Sequence, residues 1–130
     1  MTRRPGFTLI ELLIAMVIVA ILASIAINLF WKAKDRGLRS SVESDLRNAA
    51  VQQEVYFERN GRYADVTTDI PGYAGSPGVV LTINYAANNG WGAVGNHVNL
   101  PGTTCGLLVG DAPAGSGGPA VSIGVIACNP

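Results

Sequence analysis

The longest hydrophobic segment of the chain lies near its N-terminus. Residues 7–27 are apolar except for one threonine, one glutamate and one serine, and further hydrophobic residues extend the run to Trp31. No proline or glycine occurs between Phe7 and Arg36, so a helix is the natural conformation. About 20 such residues cross the ~30 Å hydrocarbon core of a bilayer. The pattern therefore predicts a helix long enough to span a membrane.

A different pattern follows, typical of an amphipathic helix. Mostly apolar residues recur at helical spacing and form one stripe, namely Leu38, Val42, Leu46, Ala49, Ala50, Gln53 and Phe57. Charged residues of alternating sign occur at every fourth position along another face, namely Asp35, Arg39, Glu43 and Arg47. We expect that face to be solvated and to carry no specific function. Asn60 and Gly61 suit a helix C-cap, so one continuous helix from Phe7 to about Arg59 is predicted.

The C-terminal half of the chain has the signature of a small sheet. Residues 61–78 form a predicted connecting loop, in which two Pro-Gly pairs mark turns. Short hydrophobic runs between turn-forming residues then predict strands at 79–85, 91–94, 97–100, 105–109 and 121–127. About four of these would form an antiparallel sheet on the helical stripe. The predicted fold class is α+β, a long N-terminal helix packed against a small C-terminal antiparallel β-sheet.

Charge is distributed unevenly along the 130 residues. All nine lysines and arginines lie at or before Arg62, and after Asp65 the formal charges are Asp69 and Asp111 alone. The net charge of zero thus combines a charged middle with a nearly neutral, glycine-rich remainder. No basic patch with interleaved aromatic residues is present, so the single chain is not predicted to bind nucleic acid directly.

The two cysteines, Cys105 and Cys128, enclose 22 residues. Their spacing is compatible with a disulfide or with two core thiols. We favour a disulfide, because the apolar N-terminal segment implies membrane insertion or export, where disulfides persist. A metal site is not expected, since His97 is the lone histidine and no CxxC spacing occurs.

The sequence contains no convincing catalytic constellation. His97 has no acidic residue near it in sequence and is assigned a structural or exposed role. The glycines around 90–95 and 115–118 are explained by turns between strands, because they do not join a strand to a helix as a phosphate-binding loop does. We therefore predict a protein that is not an enzyme and needs no cofactor.

Two ordinary interpretations of the N-terminus compete. A secretory signal peptide would use Arg3 and Arg4, the apolar run and the small residues around Ala26 for cleavage. Its apolar region would be unusually long, however, and would continue into a strong helical pattern. A simple membrane anchor explains the length, and the positive-inside rule then places the N-terminus in the cytoplasm. Neither interpretation accounts for Glu11, an ionisable residue that is costly inside such a segment.

A third interpretation accounts for Glu11 as well. The segment Gly6-Phe7-Thr8-Leu9-Ile10-Glu11 closely resembles the cleavage and methylation motif of type IV pilins. A second segment, Tyr56-Phe57-x-x-Asn60-Gly61-x-Tyr63, resembles the end of the long helix in many major pilins. At positions where many pilins carry a glycine and a proline within this helix, the present chain has Ala20 and Asn28.

The resemblance implies a processing pathway and a role for Glu11. A prepilin peptidase would cut between Gly6 and Phe7 on the cytoplasmic side, and Phe7 would then be N-methylated. Removal of the leader takes away Arg3 and Arg4 and changes the net side-chain charge from zero to −2. In a filament, Glu11 would neutralise the Phe7 amine of an adjacent subunit, and this pairing would favour one axial register.

The expected organisation has four parts: the prepilin leader peptide 1–6, the apolar membrane or filament-core half-helix 7–31, the amphipathic half-helix 32–60 and the globular domain 61–130. We expect a homopolymer that forms a pilus, after a single-pass stage in the bacterial inner membrane. Its expected partners are the prepilin peptidase and the inner-membrane assembly machinery, and the region of Cys105 and Cys128 would contribute to the filament surface. The alternatives are a pseudopilin of a type II secretion system and an anchored binding domain that does not polymerise.

Overall fold

A computed structural model describes residues 6–129, and its longest element is one α-helix, α1, over Leu9–Asn60. The predicted long N-terminal helix is confirmed. It ends as the sequence predicts, because Gly61 has a φ of 69° and donates its N–H to the Phe57 carbonyl at 2.8 Å. A left-handed conformation at this position suits glycine and satisfies one of the last helical carbonyls. The chain divides into two compact units between Lys34 and Asp35.

In the second unit, one face of α1 supplies one side of the hydrophobic core. Val42, Leu46 and Ala49 are at most 2% exposed, as the apolar stripe predicts. Ala50 and Phe57 pack against this core as partly buried neighbours. Burying each large aliphatic side chain contributes roughly 1.5–3 kcal/mol relative to leaving it exposed, so this stripe is a main source of the unit's stability.

The opposite side of the core is formed mainly by a four-stranded antiparallel sheet in the order β1-β2-β3-β4. Its strands are β1 (Val79–Ala86), β2 (Gly90–His97), β3 (Thr104–Gly110) and β4 (Ala127–Cys128). Trp91 and Ala93 of β2 and Leu107 of β3 face the helix and are buried. The predicted α+β class is therefore confirmed.

Two predicted strands differ from the structure. The strand predicted at 97–100 does not form, because His97 ends β2 and residues 97–100 make a turn. In this turn His97 accepts the Asn99 N–H through Nδ1 and the Leu100 N–H through its carbonyl, at 3.0 and 2.9 Å. The strand predicted at 121–127 is reduced to a single bridge at Ile123 and the start of β4, with Gly124 at a φ of 75° between them.

A glycine- and proline-rich segment, residues 112–120, covers the face of the sheet that points away from α1. Gly92 of β2 lies against Ser116, and Gly106 of β3 lies against the carbonyl of Gly117. A Cβ atom at either strand position would collide with the covering segment. Glycine in these two strands is thus required by the close approach of another stretch of backbone.

The connecting loop between α1 and the sheet is held at both ends by buried polar side chains of the helix. Gln53 is fully buried and donates to the Ala64 carbonyl while it accepts the Ala64 N–H, both at 2.8 Å. Asp45 is 4% exposed and accepts the N–H and the hydroxyl of Ser76, at 2.6 and 2.8 Å. Since residues 45 and 53 are eight apart, both lie on the buried face of α1.

The packing of this loop raises the pKa of two of its tyrosines, Tyr63 and Tyr73. Tyr63 donates to Glu54 at 3.1 Å and stacks on Phe57 with ring centroids 4.7 Å apart. Burial, followed by the nearby Glu54 carboxylate, raises the pKa of Tyr63 above its ordinary value. Burial and the charge of Asp45 likewise raise the pKa of Tyr73. In both cases the folded state favours the neutral phenol over the phenolate.

Replacing Gln53 by alanine is expected to destabilise the second unit by about 2–4 kcal/mol, because two hydrogen bonds are lost and two backbone groups of Ala64 stay buried without partners. Urea unfolding of the full chain in detergent, followed by tryptophan fluorescence, measures this change. Gln52→Ala is the matched control and should stay within about 0.5 kcal/mol of the parent. Equal losses in both variants would contradict the role assigned to the buried amide.

Stability is also expected to fall at alkaline pH. Because the pKa values of Tyr63 and Tyr73 are raised in the folded state, their stabilising contribution is complete below the ordinary value of 10.0 and is lost as the pH rises through the folded values. The free energy of unfolding, measured in urea from about pH 9 to about pH 11, should decrease. Tyr63→Phe should reduce this slope, and an unchanged slope would contradict the assignment.

Candidate assembly site at the start of the long helix

The start of α1 is closed by a reciprocal set of hydrogen bonds between Thr8 and Glu11. The Thr8 N–H and hydroxyl both donate to Oε2 of Glu11, at 2.9 and 2.8 Å. In return the Glu11 N–H donates to the Thr8 hydroxyl at 3.3 Å. The Thr8 carbonyl accepts the first helical hydrogen bond, from Leu12. These contacts are those of a capping box, with Thr8 as the N-cap and Glu11 three residues later.

The capping box engages one of the two oxygens of Glu11. Both hydrogen bonds go to Oε2, and Oε1 receives none from the described residues. The carboxylate also lies in the first turn of α1, where the helix dipole favours negative charge. Glu11 is therefore held in a fixed direction while one oxygen remains available to a further donor.

The Gly6–Phe7 peptide bond lies just before the capped helix. Neither residue is helical and both are exposed, and among residues 8–129 no atom lies within 4 Å of the position that a Gly6 Cβ would occupy. A peptidase that binds extended chain could reach such a bond without unwinding α1. Arg3 and Arg4, together with the rest of the predicted leader before Gly6, lie outside the described residues.

The first unit presents an apolar surface that its own residues leave uncovered. From Leu9 to Trp31 every large hydrophobic side chain is at least 50% exposed. By length and composition the helix is apolar enough to cross a membrane. Between Leu9 and Trp31 the two uncharged polar residues are satisfied locally, since Ser24 donates to the Ile21 carbonyl and Asn28 to the Ser24 carbonyl, at 2.8 and 3.2 Å. Such bonds within the helix let polar side chains occupy a segment without water.

The comparisons with known proteins agree with this arrangement. Residues 1–27 match the family model described as the prokaryotic N-terminal methylation motif. Over 105 residues the chain is 35% identical to the type IV major pilin protein PilA of Myxococcus xanthus (strain DK1622). The chain is thus similar to type IV pilins, in its N-terminal motif and over most of its length. The alignment covers 81% of this chain and 47% of the relative, so the chain spans about half the length of the curated relative that it matches.

A second candidate region of the chain surrounds the disulfide that joins Cys105 of β3 to Cys128 of β4. Arg39 donates to the Cys128 carbonyl at 3.0 Å, and Glu43 lies 3.6 Å from the Cys128 sulfur. Glu43 also pairs with Arg39 and Arg47, at 3.7 and 3.8 Å. The expectation that this charged face of α1 is solvated is therefore wrong for Arg39 and Glu43, which are half-buried and contact the C-terminal strand. The alternating charges gave no indication of that contact.

The ligand atoms of Glu43, Cys105 and Cys128 lie within 4.8 Å of one another. Thiolate sulfur is the usual cysteine ligand for zinc, and here both sulfur atoms are joined in the disulfide. The grouping therefore places a carboxylate beside the bridge without forming a thiolate site. His97 is 5% exposed and accepts the Asn99 N–H, which is a structural role.

Thr8 is the residue of this site that sequence reasoning passed over. The signal was present, because threonine followed three residues later by glutamate, before an apolar run, is the capping-box pattern. The structure shows that Glu11 already has a partner within its own chain. Any intermolecular role for the Glu11 carboxylate must therefore coexist with, or replace, the bonds to Thr8.

Thr8→Ala is expected to fray the start of α1, since removal of a threonine N-cap costs about 1 kcal/mol and so raises amide exchange about fivefold. Hydrogen exchange at the Glu11 and Leu12 amides of the full chain in detergent micelles measures this effect. Thr8→Ser keeps a hydroxyl at the N-cap and should exchange like the parent. Identical exchange in the alanine and serine variants would show that the capping box does not stabilise the helix end.

Proposed function

We propose that this chain is a structural subunit, a major-type pilin, that polymerises through its N-terminal helix into a type IV pilus on the cell surface. The observation that carries the proposal is a carboxylate, oriented by a capping box, at the start of a helix whose hydrophobic side chains are exposed from Leu9 to Trp31. A soluble monomer could not keep that surface in water. The same surface can contact lipid while the subunit lies in the membrane, and can contact identical helices after the subunit joins the filament.

Processing would begin with hydrolysis of the Gly6–Phe7 bond by a prepilin peptidase on the cytoplasmic side. Hydrolysis leaves a carboxylate on Gly6 and an amine on Phe7, which a methyl donor then methylates. The exposure of this bond and its position before α1 support the proposal. Cleavage on this side of the apolar run retains the helix in the product, unlike cleavage of a secretory signal after Ala26.

Before assembly the subunit would span the bacterial inner membrane once, with the N-terminus in the cytoplasm. Trp31 lies near the far end of the apolar run, and the Lys34 ammonium is 5.0 Å from the centre of its ring. An aromatic ring beside a cation is typical of a membrane–water interface. Inner-membrane assembly machinery would then extract the subunit into the filament, which would serve adhesion, motility or DNA uptake.

In the filament, Glu11 would neutralise the methylated amine of Phe7 from a neighbouring subunit. Because both Thr8 bonds go to Oε2, the other oxygen of Glu11 could accept this donor while the capping box persists. A buried ammonium or carboxylate is costly without a partner. Pairing between neighbours therefore favours the one axial stagger that brings the two groups together.

The direct test is to purify surface fibres from cells that express the chain and to sequence the subunit N-terminus. Fibres whose subunits begin with methylated Phe7 are the expected result. A mature chain that begins after Ala26, or a processed chain that never forms fibres, would overturn the proposal.

Substitutions at residues 8 and 11 separate the capping role of the carboxylate from its charge. Glu11→Gln can keep the capping box, since glutamine also serves at this position, but it removes the negative charge. We expect Glu11→Gln and Glu11→Ala to be cleaved normally and to lower the yield of fibres by at least about tenfold, because the buried amine loses its counter-charge.

Thr8→Ala is the matched control for this comparison, because it removes the cap and retains the charge. It should lower the fibre yield less than Glu11→Gln does. Electron microscopy and the ratio of sheared to cell-bound pilin measure the outcome. Normal fibres from Glu11→Gln, expressed without the parent chain, would contradict intermolecular pairing.

A further inference from the structure

An apolar groove lies between α1 and the β3 side of the sheet in the second unit. It has a volume of about 560 Å³, and its lining includes Arg47, Val51, Leu107, Val109, Val125 and Ile126. We refer to it as the C-terminal groove. Val51 and Val125 are 61% and 55% exposed, and Ile123 beside them is 64% exposed. A cluster of exposed aliphatic side chains around a concave surface is typical of a site that another molecule covers.

The rim of the C-terminal groove carries a positive charge. The Arg47 side chain is 72% exposed, and its guanidinium lies 3.8 Å from Glu43. Most of that side chain thus faces outward, where it could meet a carboxylate on whatever enters the groove. The chemistry that fits is a protruding aliphatic side chain flanked by acidic residues.

Such a segment occurs on the opposite edge of the same sheet. In the connecting loop, Val66 is 47% exposed, and Asp65 and Asp69 beside it are exposed. Residues 65–70 contain these two carboxylates and no basic residue. We call Asp65, Val66 and Asp69 the acidic loop segment. It lies along β1, since Asp65 and Val66 share a shallow depression with Leu81 and Ile83.

The positions of the two surfaces suit a polymer. The sheet order β1-β2-β3-β4 places the acidic loop segment at one edge and the C-terminal groove at the other. Two different surfaces that bind each other across identical copies make a head-to-tail contact, and such contacts propagate into rings or open helical filaments. A single chain cannot satisfy both surfaces with itself.

We infer that the C-terminal groove receives the acidic loop segment of a second copy of this chain, with Val66 between Val51 and Val125 and with Asp65 or Asp69 facing Arg47. This inference rests on the proposed function and adds a contact between the globular units to the contacts between N-terminal helices. Burial of Val66 in the groove would stabilise the contact. The charge pair at the rim would make the contact specific for the acidic loop segment.

Cysteine cross-linking in assembled fibres tests the contact. The full chain with Val66→Cys and Val125→Cys is assembled and treated with a short bis-maleimide, which reacts with free thiols and leaves the Cys105–Cys128 disulfide intact. We expect a ladder of covalent oligomers on a reducing denaturing gel. Each single substitution should give monomers, because every contact needs one cysteine from each surface.

The matched control pairs Val98→Cys with Val125→Cys. Val98 is 61% exposed but lies in the turn after β2, outside both surfaces, so this pair should give no ladder. Fibres that form normally while Val66→Cys with Val125→Cys yields only monomers would overturn the inference and leave the proposed function standing. Absence of fibres from the parent chain would instead count against the proposed function.

A charge exchange provides a second, independent measurement. Arg47→Glu should reduce the yield of fibres, and combining it with Asp65→Arg or Asp69→Arg should restore at least part of that yield. Restoration by either partner supports the contact and identifies the carboxylate. Fibre yields that are unaffected by Arg47→Glu, or restored by neither partner, would overturn the assigned rim pairing.

Discussion

The second unit depends on the burial of a single face of α1. Val42, Leu46 and Ala49 on that face contribute apolar contact with the sheet, which is strong but has no preferred direction. Asp45 and Gln53 lie on the same face and bond to particular backbone groups of the connecting loop. Hydrogen bonds inside a protein are directional and costly to leave unmade. One helical face therefore both drives the packing of the unit and determines where its loop lies.

The first unit has the opposite property, because residues 6–129 leave its hydrophobic side chains exposed. The helix there is complete by itself, with a capped start and polar residues bonded to its own carbonyls. Such a helix can pass from lipid to protein surroundings without changing its internal bonds. That property suits a subunit that waits in a membrane and later joins a bundle of identical helices.

Much of this architecture could be predicted from local patterns. The apolar run, the stripe from Leu38 to Phe57 and the Gly61 cap each depend on neighbouring residues, and each appears in the structure. The four-stranded sheet was also predicted, but the strand expected at 97–100 is a turn closed by His97. Hydrophobic spacing cannot reveal that a side chain will accept a backbone N–H two residues later.

The contacts that could not be predicted join residues far apart in the chain. Arg39 bonds to a carbonyl 89 residues away, and Asp45 bonds to Ser76 across 31 residues. The sequence shows the charges but not the backbone groups that they reach after folding. The capping box is different, because Thr8 and Glu11 are three residues apart. The sequence alone is therefore enough to recognise it.

The disulfide has a consequence for what proteolytic cleavage does to the protein. Residues 106–127, which include the segment over the outer face of the sheet and the apolar stretch beside β3, lie between Cys105 and Cys128. Exposed loops rich in small residues are preferred sites of proteolytic cleavage. A single cut anywhere in this interval leaves both fragments covalently joined, and the Arg39 bond still holds the C-terminal strand to α1. A subunit cut once in this interval would thus stay a single covalently linked molecule.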